Sequence, residues 1–269
     1  MQKIEKNELF TDSVGRYWTR ILHRGERRYN SRMTDKITQG EIRRRLEGFA
    51  SLDNKATLER FFKEPIDMIG VKSPQMKIVA REAVKWCREN GGYRAALKLA
   101  KPLWKKGKHE EKIIAISLLI GFKKEFDDST WTMTDEWIDD ITNWAQCDYL
   151  AGDLIQILIS MKPSRRKELF KWTKSKNRWR RRASAVGLVR FARKGEYLED
   201  VWKVATPLMP DEDDMVRKGV GWLMREAART APKEVVEFCR KHEHHANRLI
   251  LRTASETMDE KWKKKLLGR

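Results

Sequence analysis

Trp144 and Asp148 are the residues whose types and spacing first indicate chemistry. They are four positions apart, within residues 141–150. In an α-helix, residues four apart lie on one face, one turn from each other. A carboxylate beside a large aromatic ring suits a reaction that develops positive charge, because both groups attract a cation. The pattern therefore predicts a helix that presents both side chains to one site.

Two further stretches carry side chains that would complete such a site. Residues 180–182 are three successive arginines, which point about 100° apart on a helix. At least one of them is expected to face the site and to bind a phosphate through two hydrogen bonds. In the second stretch, Gly219 and Gly221 flank the approach to Trp222, which leaves room for its ring or for a neighbouring backbone. Taken singly, each tryptophan is more often part of a core than of a site.

The elements that must position these residues are predicted to be helices. From about residue 38 onward, apolar residues recur with helical spacing, and no alternating run is long enough to predict a strand. Trp144, Arg182 and Trp222 are separated by 38 and 40 residues, which is the range of two-helix HEAT or armadillo repeats. Such units bury their apolar faces only by stacking. The sequence therefore predicts an all-α, HEAT-like solenoid with a basic concave face, and an irregular helical bundle is the alternative.

The chain is predicted to have two parts. Residues 1–35 form a basic N-terminal extension with one helix near residues 14–22, and residues 36–269 form the helical-repeat domain. The acidic run that starts at Asp211 is expected to stabilise a helix start through the helix dipole rather than to bind a metal.

The charge balance predicts a polyanionic partner. The chain has 58 Lys and Arg against 39 Asp and Glu, a net charge of +19, which points to nucleic acid. A uniformly solvated basic surface is the alternative. Three cysteines without a CxxC pair argue against disulfides and zinc, and no apolar run is long enough for a signal peptide or a membrane span.

Two tryptophans, one carboxylate and a phosphate-binding arginine suit cleavage of an N-glycosidic bond through an oxocarbenium-like transition state. The aromatic faces and Asp148 favour the developing positive charge, and Asp148 is placed to position or deprotonate the attacking water. The patch has no strong general acid for the leaving base. The expected substrate is therefore a purine that is already cationic, alkylated at N3 or N7. Motifs for nucleotide phosphates and for catalytic zinc or serine are absent.

At these residues the sequence resembles the HEAT-like-repeat DNA alkylpurine glycosylases of the bacterial AlkD type. Trp144 and Asp148 match the W-x-x-x-D motif of that family. Arg182 matches the arginine of its W-x-x-R-A context. Trp222 lies in a match to its K-x-x-G-W-x-x-R-E motif, which begins at Lys218.

The resemblance, which covers roughly residues 39–260, implies excision of 3-methyladenine and 7-methylguanine from duplex DNA without extrusion of the lesion into a pocket. It implies that Asp148, Trp144 and Trp222 are catalytic. The DNA-binding residues that it implies, together with the charge pattern, are Arg182, Phe61, Arg181 and Lys218. We further expect a monofunctional hydrolase that needs no cofactor or metal, acts as a monomer, and works in the bacterial cytoplasm at the nucleoid, away from membranes.

The sequence departs from the family pattern at two positions. Phe61 stands where the family has a tyrosine, so a stacking surface is kept and a hydroxyl is lost. Ala145 stands where the family often has an aspartate, so one acid is missing. The alternative function is a non-catalytic HEAT scaffold that binds nucleic acid or an acidic protein. The positive charge fits both functions, but only the enzyme explains why Trp144, Asp148, Arg182 and Trp222 occur together.

Overall fold

The computed structural model of the chain describes residues 9–11, 17–19, 36–244 and 246–268. The chain divides into two compact units, which are Met1–Lys36 and Ile37–Arg269. The described backbone of the second unit consists of helices joined by turns and loops, so the predicted all-α class is confirmed. The described α-helices are α1 Gln39–Glu47, α2 Leu52–Glu59, α3 Ser73–Glu89, α4 Gly92–Lys106, α5 His109–Ile120, α6 Asp128–Trp137, α7 Trp144–Tyr149, α8 Gln156–Met161, α9 Arg166–Trp172, α10 Arg178–Val186, α11 Val189–Arg193, α12 Leu198–Leu208, α13 Asp214–Ala227, α14 Pro232–Lys241, α15 Arg248–Ser255 and α16 Glu260–Leu267.

The first unit contains a short antiparallel hairpin. Strand β1 (Leu9–Thr11) pairs with β2 (Tyr17–Thr19), and the backbone register sets Phe10 opposite Trp18. The helix predicted near residues 14–22 was therefore wrong, because β2 lies in that range. Aromatic and β-branched residues such as those of β2 favour extended backbone. The other residues of the predicted basic extension lie outside the described part of the chain, and its role stays a prediction.

The regular α-helix is interrupted at two places near the motif residues. Helix α7 starts at Trp144, and a π-helical segment, Leu150–Ile155, joins it to α8. Gly187 and Leu188 separate α10 from α11. The π-helical segment begins only after α7 ends, so Trp144 and Asp148 lie on one regular helix.

The helices that carry the motif residues pack side by side. Helix α10 contacts both α7 and α13, and α13 packs in turn against α15. On the other side, α5 contacts α3, α4 and α7. Trp104 on α4 is fully buried and stacks on Trp137 of α6, with ring centroids 4.8 Å apart and planes 6° from parallel. Among the described residues, no helix is both long and apolar enough to cross a bilayer.

Candidate active site

Each of the three motif helices begins at a residue that caps its first backbone N–H groups. Asn143 accepts a hydrogen bond from the backbone N–H of Gln146 at the start of α7, and Asn177 accepts one at the start of α10. Asp213 accepts two such bonds at the start of α13. Caps of this type fix where a helix begins. They therefore set which residues of each motif face the neighbouring helix, and the acidic run from Asp211 marks a helix start as predicted.

Asp148 and Arg182 form a buried, two-pronged ion pair. Arg182 donates from Nε to Oδ1 at 2.9 Å and from Nη2 to Oδ2 at 2.8 Å, and both side chains are more than nine-tenths buried. Its Nη1 donates to the carbonyl of Met215 on α13. Burial alone would lower the pKa of Arg182, but the charge and hydrogen bonds of Asp148 outweigh it and raise that pKa. Through these three hydrogen bonds Arg182 joins α7, α10 and α13.

The glycines before Trp222 make room for neighbouring side chains. A Cβ at Gly219 would lie 3.2 Å from Cγ of Arg182, and a Cβ at Gly221 would lie 2.9 Å from Cβ of Thr253. The nearest neighbours of the two glycines are therefore side chains, and not the ring of Trp222 or a backbone. Gly219 lies against the side chain of Arg182, and Gly221 lies against that of Thr253 on α15.

Trp222 lies on α13 one turn after Gly219, and its ring is 8% exposed. Its Nε1–H is buried and has no hydrogen-bond partner among the described residues.

Trp144, the first residue of α7, is half-buried and is covered on one face by Phe62. The two rings are stacked, with centroids 5.4 Å apart and an interplanar angle of 23°. Nε1 of Trp144 donates to the backbone carbonyl of Phe61 at 3.3 Å. Ala145, where an acid is missing relative to the family pattern, is buried.

Residues 61–64, which we term the strap, follow α2 and reach all three motif helices. Besides the contacts with Trp144, Lys63 pairs with Asp214 at 2.7 Å, and Glu64 pairs with Arg178 at 3.1 Å. The hydrogen bond from Lys63 is the largest influence that lowers the pKa of Asp214. The strap therefore links the start of α7 to the starts of α10 and α13.

Sequence reasoning chose Phe61 as the stacking residue and missed Phe62. In the structure the side chain of Phe61 is 67% exposed, whereas Phe62 lies on Trp144 and also meets the ring of His109 at 5.7 Å. Nothing in the sequence separates two adjacent phenylalanines that follow a helix end. The exposed ring of Phe61 leaves its predicted role in DNA binding open.

The three successive arginines do point in three directions, and each meets acidic groups on another element. Arg180 pairs with Asp135 and Asp139, Arg181 with Asp211 at 2.6 Å, and Arg182 with Asp148. Arg181 also donates to two backbone carbonyls of the preceding loop. Its predicted contact with DNA phosphate stays a prediction, as does that of Arg182.

Lys218 lies on the surface of α13, where it is 44% exposed and pairs with Asp214 at 3.0 Å. Its position allows the predicted DNA contact, which stays a prediction. Within the part of the chain that the structure describes, no group of three His, Cys, Asp or Glu side chains is arranged to hold a metal ion.

The chain is similar to a family of repair proteins and to several solved structures. The family model described as DNA alkylation repair enzyme matches residues 42–258. A structure described as a predicted DNA alkylation repair enzyme from Enterococcus faecalis is 15% identical, with a TM-score of 0.68 over 78% of this chain and 97% of that one. AlkD2 from Streptococcus mutans is 21% identical, with a TM-score of 0.54 over 77% of this chain and 99% of that one. At these identities the structures support the fold alone. No curated protein matches the chain.

Proposed function

Because the chain belongs to the DNA alkylation repair enzyme family, we propose that it is a DNA glycosylase that acts on cationic purines. Its substrates are N3- and N7-alkylated purines such as 3-methyladenine and 7-methylguanine in duplex DNA. The observation that carries the proposal is the buried carboxylate of Asp148, fixed by two hydrogen bonds from Arg182 and one helical turn from Trp144.

The proposed reaction is hydrolysis of the bond between C1′ and the purine nitrogen. The bonding electrons leave with the base, which was cationic and departs neutral, so no acid is required. Positive charge moves onto the deoxyribose, where Asp148 stabilises it electrostatically. Water then adds to C1′, guided by a carboxylate oxygen, and its extra proton passes to Asp148 or to solvent. The products are a free base and an abasic site.

The pairing with Arg182 supports this role for Asp148. A carboxylate that is held in place needs no reorientation as charge develops, which is the source of electrostatic catalysis. Each oxygen accepts one bond from Arg182, and a carboxylate oxygen accepts up to two. One acceptor position on each oxygen is therefore left for the sugar or the attacking water.

The two tryptophans are proposed to contact the lesion-bearing nucleotide. Their π faces attract the cationic sugar. The net charge of +19 supports attraction to the duplex, with Phe61, Lys218, Arg181 and Arg182 as the proposed contacts.

The decisive experiment is incubation of the protein with methylated duplex DNA and detection of free bases by mass spectrometry. We expect release of 3-methyladenine and 7-methylguanine and an intact abasic strand. Asp148→Asn is expected to abolish release almost completely while duplex binding is retained. Asp153→Asn is the matched control, because Asp153 lies nearby in the chain and pairs with Arg190. Absence of release by the wild-type protein would instead favour a non-catalytic scaffold that binds nucleic acid.

A further inference from the structure

Phe62 lies outside the motifs that mark the candidate site, yet it touches one of that site's principal residues. It covers one face of Trp144 at 5.4 Å between centroids, while the carbonyl of Phe61 accepts the indole N–H at 3.3 Å. A stacked face and a hydrogen-bonded edge together define the plane of a ring. The strap therefore holds the indole of Trp144 in one orientation.

Trp144 depends on this support because of its place in α7. It is the first residue of the helix, so no preceding helical turn packs against its side chain, which is half-buried. A tryptophan in such a position rotates about two side-chain bonds unless a neighbour restrains it. Phe62 supplies that restraint on one face of the indole.

The strap is itself anchored on both sides. Lys63 and Glu64 pair with the starts of α13 and α10. Further along the same loop, the carboxylate of Glu110 accepts hydrogen bonds from the backbone N–H groups of Ile69, Gly70 and Val71, at 2.7 to 3.0 Å. Phe62 therefore contacts Trp144 from a segment that is bonded to the helices that carry Asp148, Arg182 and Trp222.

We propose that Phe62 is a positioning residue that sets the orientation of Trp144 toward the lesion-bearing nucleotide. The inference rests on the proposed glycosylase function. Catalysis through a charged transition state requires the stabilising groups to be held within a fraction of an ångström. Loss of Phe62 is then expected to affect the chemical step rather than the capture of DNA.

The first test measures the orientation directly and needs no activity. With fluorine-labelled tryptophan incorporated, the ¹⁹F resonance of Trp144 is identified by its loss in Trp144→Phe. Phe62→Leu keeps an apolar side chain but removes the stacked ring. The lost ring current shifts the Trp144 resonance in any case, so the expected sign that the indole samples several orientations is broadening of that resonance. Phe62→Tyr keeps the ring and should leave the resonance near its wild-type position.

The second test measures release of 7-methylguanine from duplex DNA. Phe62→Leu should lower kcat about tenfold with KM within about twofold of wild type, and Phe62→Tyr should restore kcat. Phe238→Leu is a matched control: Phe238 stacks on Trp202 at 5.0 Å and 24°, and it also meets a histidine ring, that of His242. Its kcat should stay within about twofold of wild type.

Three results would overturn the inference: a Trp144 resonance that is not broadened in Phe62→Leu, a wild-type kcat in that variant, or a rise in KM alone, which would make Phe62 a DNA contact. Failure of the proposed function looks different. In that case the wild-type protein itself releases no methylated purine, while the fluorine spectra still decide whether Phe62 orients Trp144.

Discussion

Substitution of Arg182 should lower the free energy of unfolding more than substitution of a lysine at the surface. In Arg182→Ala, the carboxylate of Asp148 stays buried without its cation, and the Met215 carbonyl loses a donor. Both charged side chains are 6–7% exposed, so solvent screens the loss very little. Breaking a buried ion pair from one side costs about 3–5 kcal/mol.

The expected loss is large enough to measure by thermal unfolding. For a domain of this size, 1 kcal/mol corresponds to about 2–4 °C in Tm, so Arg182→Ala should lower Tm by about 6–20 °C. The assay is circular dichroism at 222 nm, with urea titration as a second measure of the free energy of unfolding. Lys171→Ala is the control, because the Lys171–Glu168 pair lies on the surface at 71% and 38% exposure. Its Tm should change by no more than about 2 °C.

A double variant separates the loss of the pair from the loss of the side chain. Arg182→Met combined with Asp148→Leu removes both charges and keeps apolar volume, so it should recover much of the stability lost in Arg182→Ala. A drop of less than about 1 kcal/mol in Arg182→Ala would refute the reasoning. Simple additivity of the two single changes in the double variant would refute it as well, because it would show that the two charges do not interact.

Three further expectations concern the strap, a buried histidine and a glycine. Glu64→Gln removes one of the two carboxylates that pair with Arg178, the other being that of Asp213. It should tighten binding to undamaged duplex about twofold at low salt, with a slope of affinity against salt steeper by about one; this is measured by fluorescence anisotropy. Burial lowers the pKa of His109 from 6.5 to about 4, so protons favour the unfolded chain, and stability should fall by about 2 kcal/mol from pH 7 to pH 5. His109→Phe should remove that loss in urea titrations at the two pH values. Gly221→Ala brings a methyl group to 2.9 Å from Thr253 and should cost about 1–3 kcal/mol, measured by the same titrations.

Each of these expectations has a control. Glu59→Gln removes an acid from α2 whose partner is Lys55, and it should leave the salt slope unchanged. For His109, the lowered pKa means that the free energy of unfolding is highest above about pH 6.5 and declines as the pH falls toward about 4. An unchanged pH slope in His109→Phe would contradict it. Gly40→Ala meets only Thr38, at 3.8 Å, and should be neutral or slightly stabilising; equal losses at the two glycines would contradict the crowding argument.

The all-α class followed from local sequence signals, and so did the start of α13 at the acidic run from Asp211. Asn143, Asn177 and Asp213 are of the residue types that cap helices, and all three do so. The motif positions after them then fall at fixed points on each helix. Local rules suffice here because a helix is made of contacts between near neighbours in the chain.

The partners of the charged residues did not follow from the sequence. Arg182 was expected to bind a phosphate, because three successive arginines on a helix cannot all face the core. Its acid lies 34 positions away in the chain, and only the packing of α10 against α7 brings the two together. The contact of Phe62 with Trp144 was missed for a related reason, since Phe61 and Phe62 both follow the last turn of α2 and no periodicity extends that far.

The hairpin and the π-helical segment escaped prediction because they are short. Three-residue strands such as Tyr17–Thr19 give too few positions for an alternating pattern. The segment Leu150–Ile155 has a composition that an ordinary helix also tolerates.

The π-helical segment also affects how this chain is aligned with related sequences. Its backbone bonds span five residues instead of four, so it holds more chain per turn than an α-helix does. A relative whose helix continues without this widening needs a gap between Tyr149 and Gln156. Without the gap, an alignment that matches Trp144 and Asp148 will misplace Gln156, which donates to the carbonyl of Val186 on α10. Comparisons of substrate preference across the family should therefore treat the two sides of this segment as separate blocks.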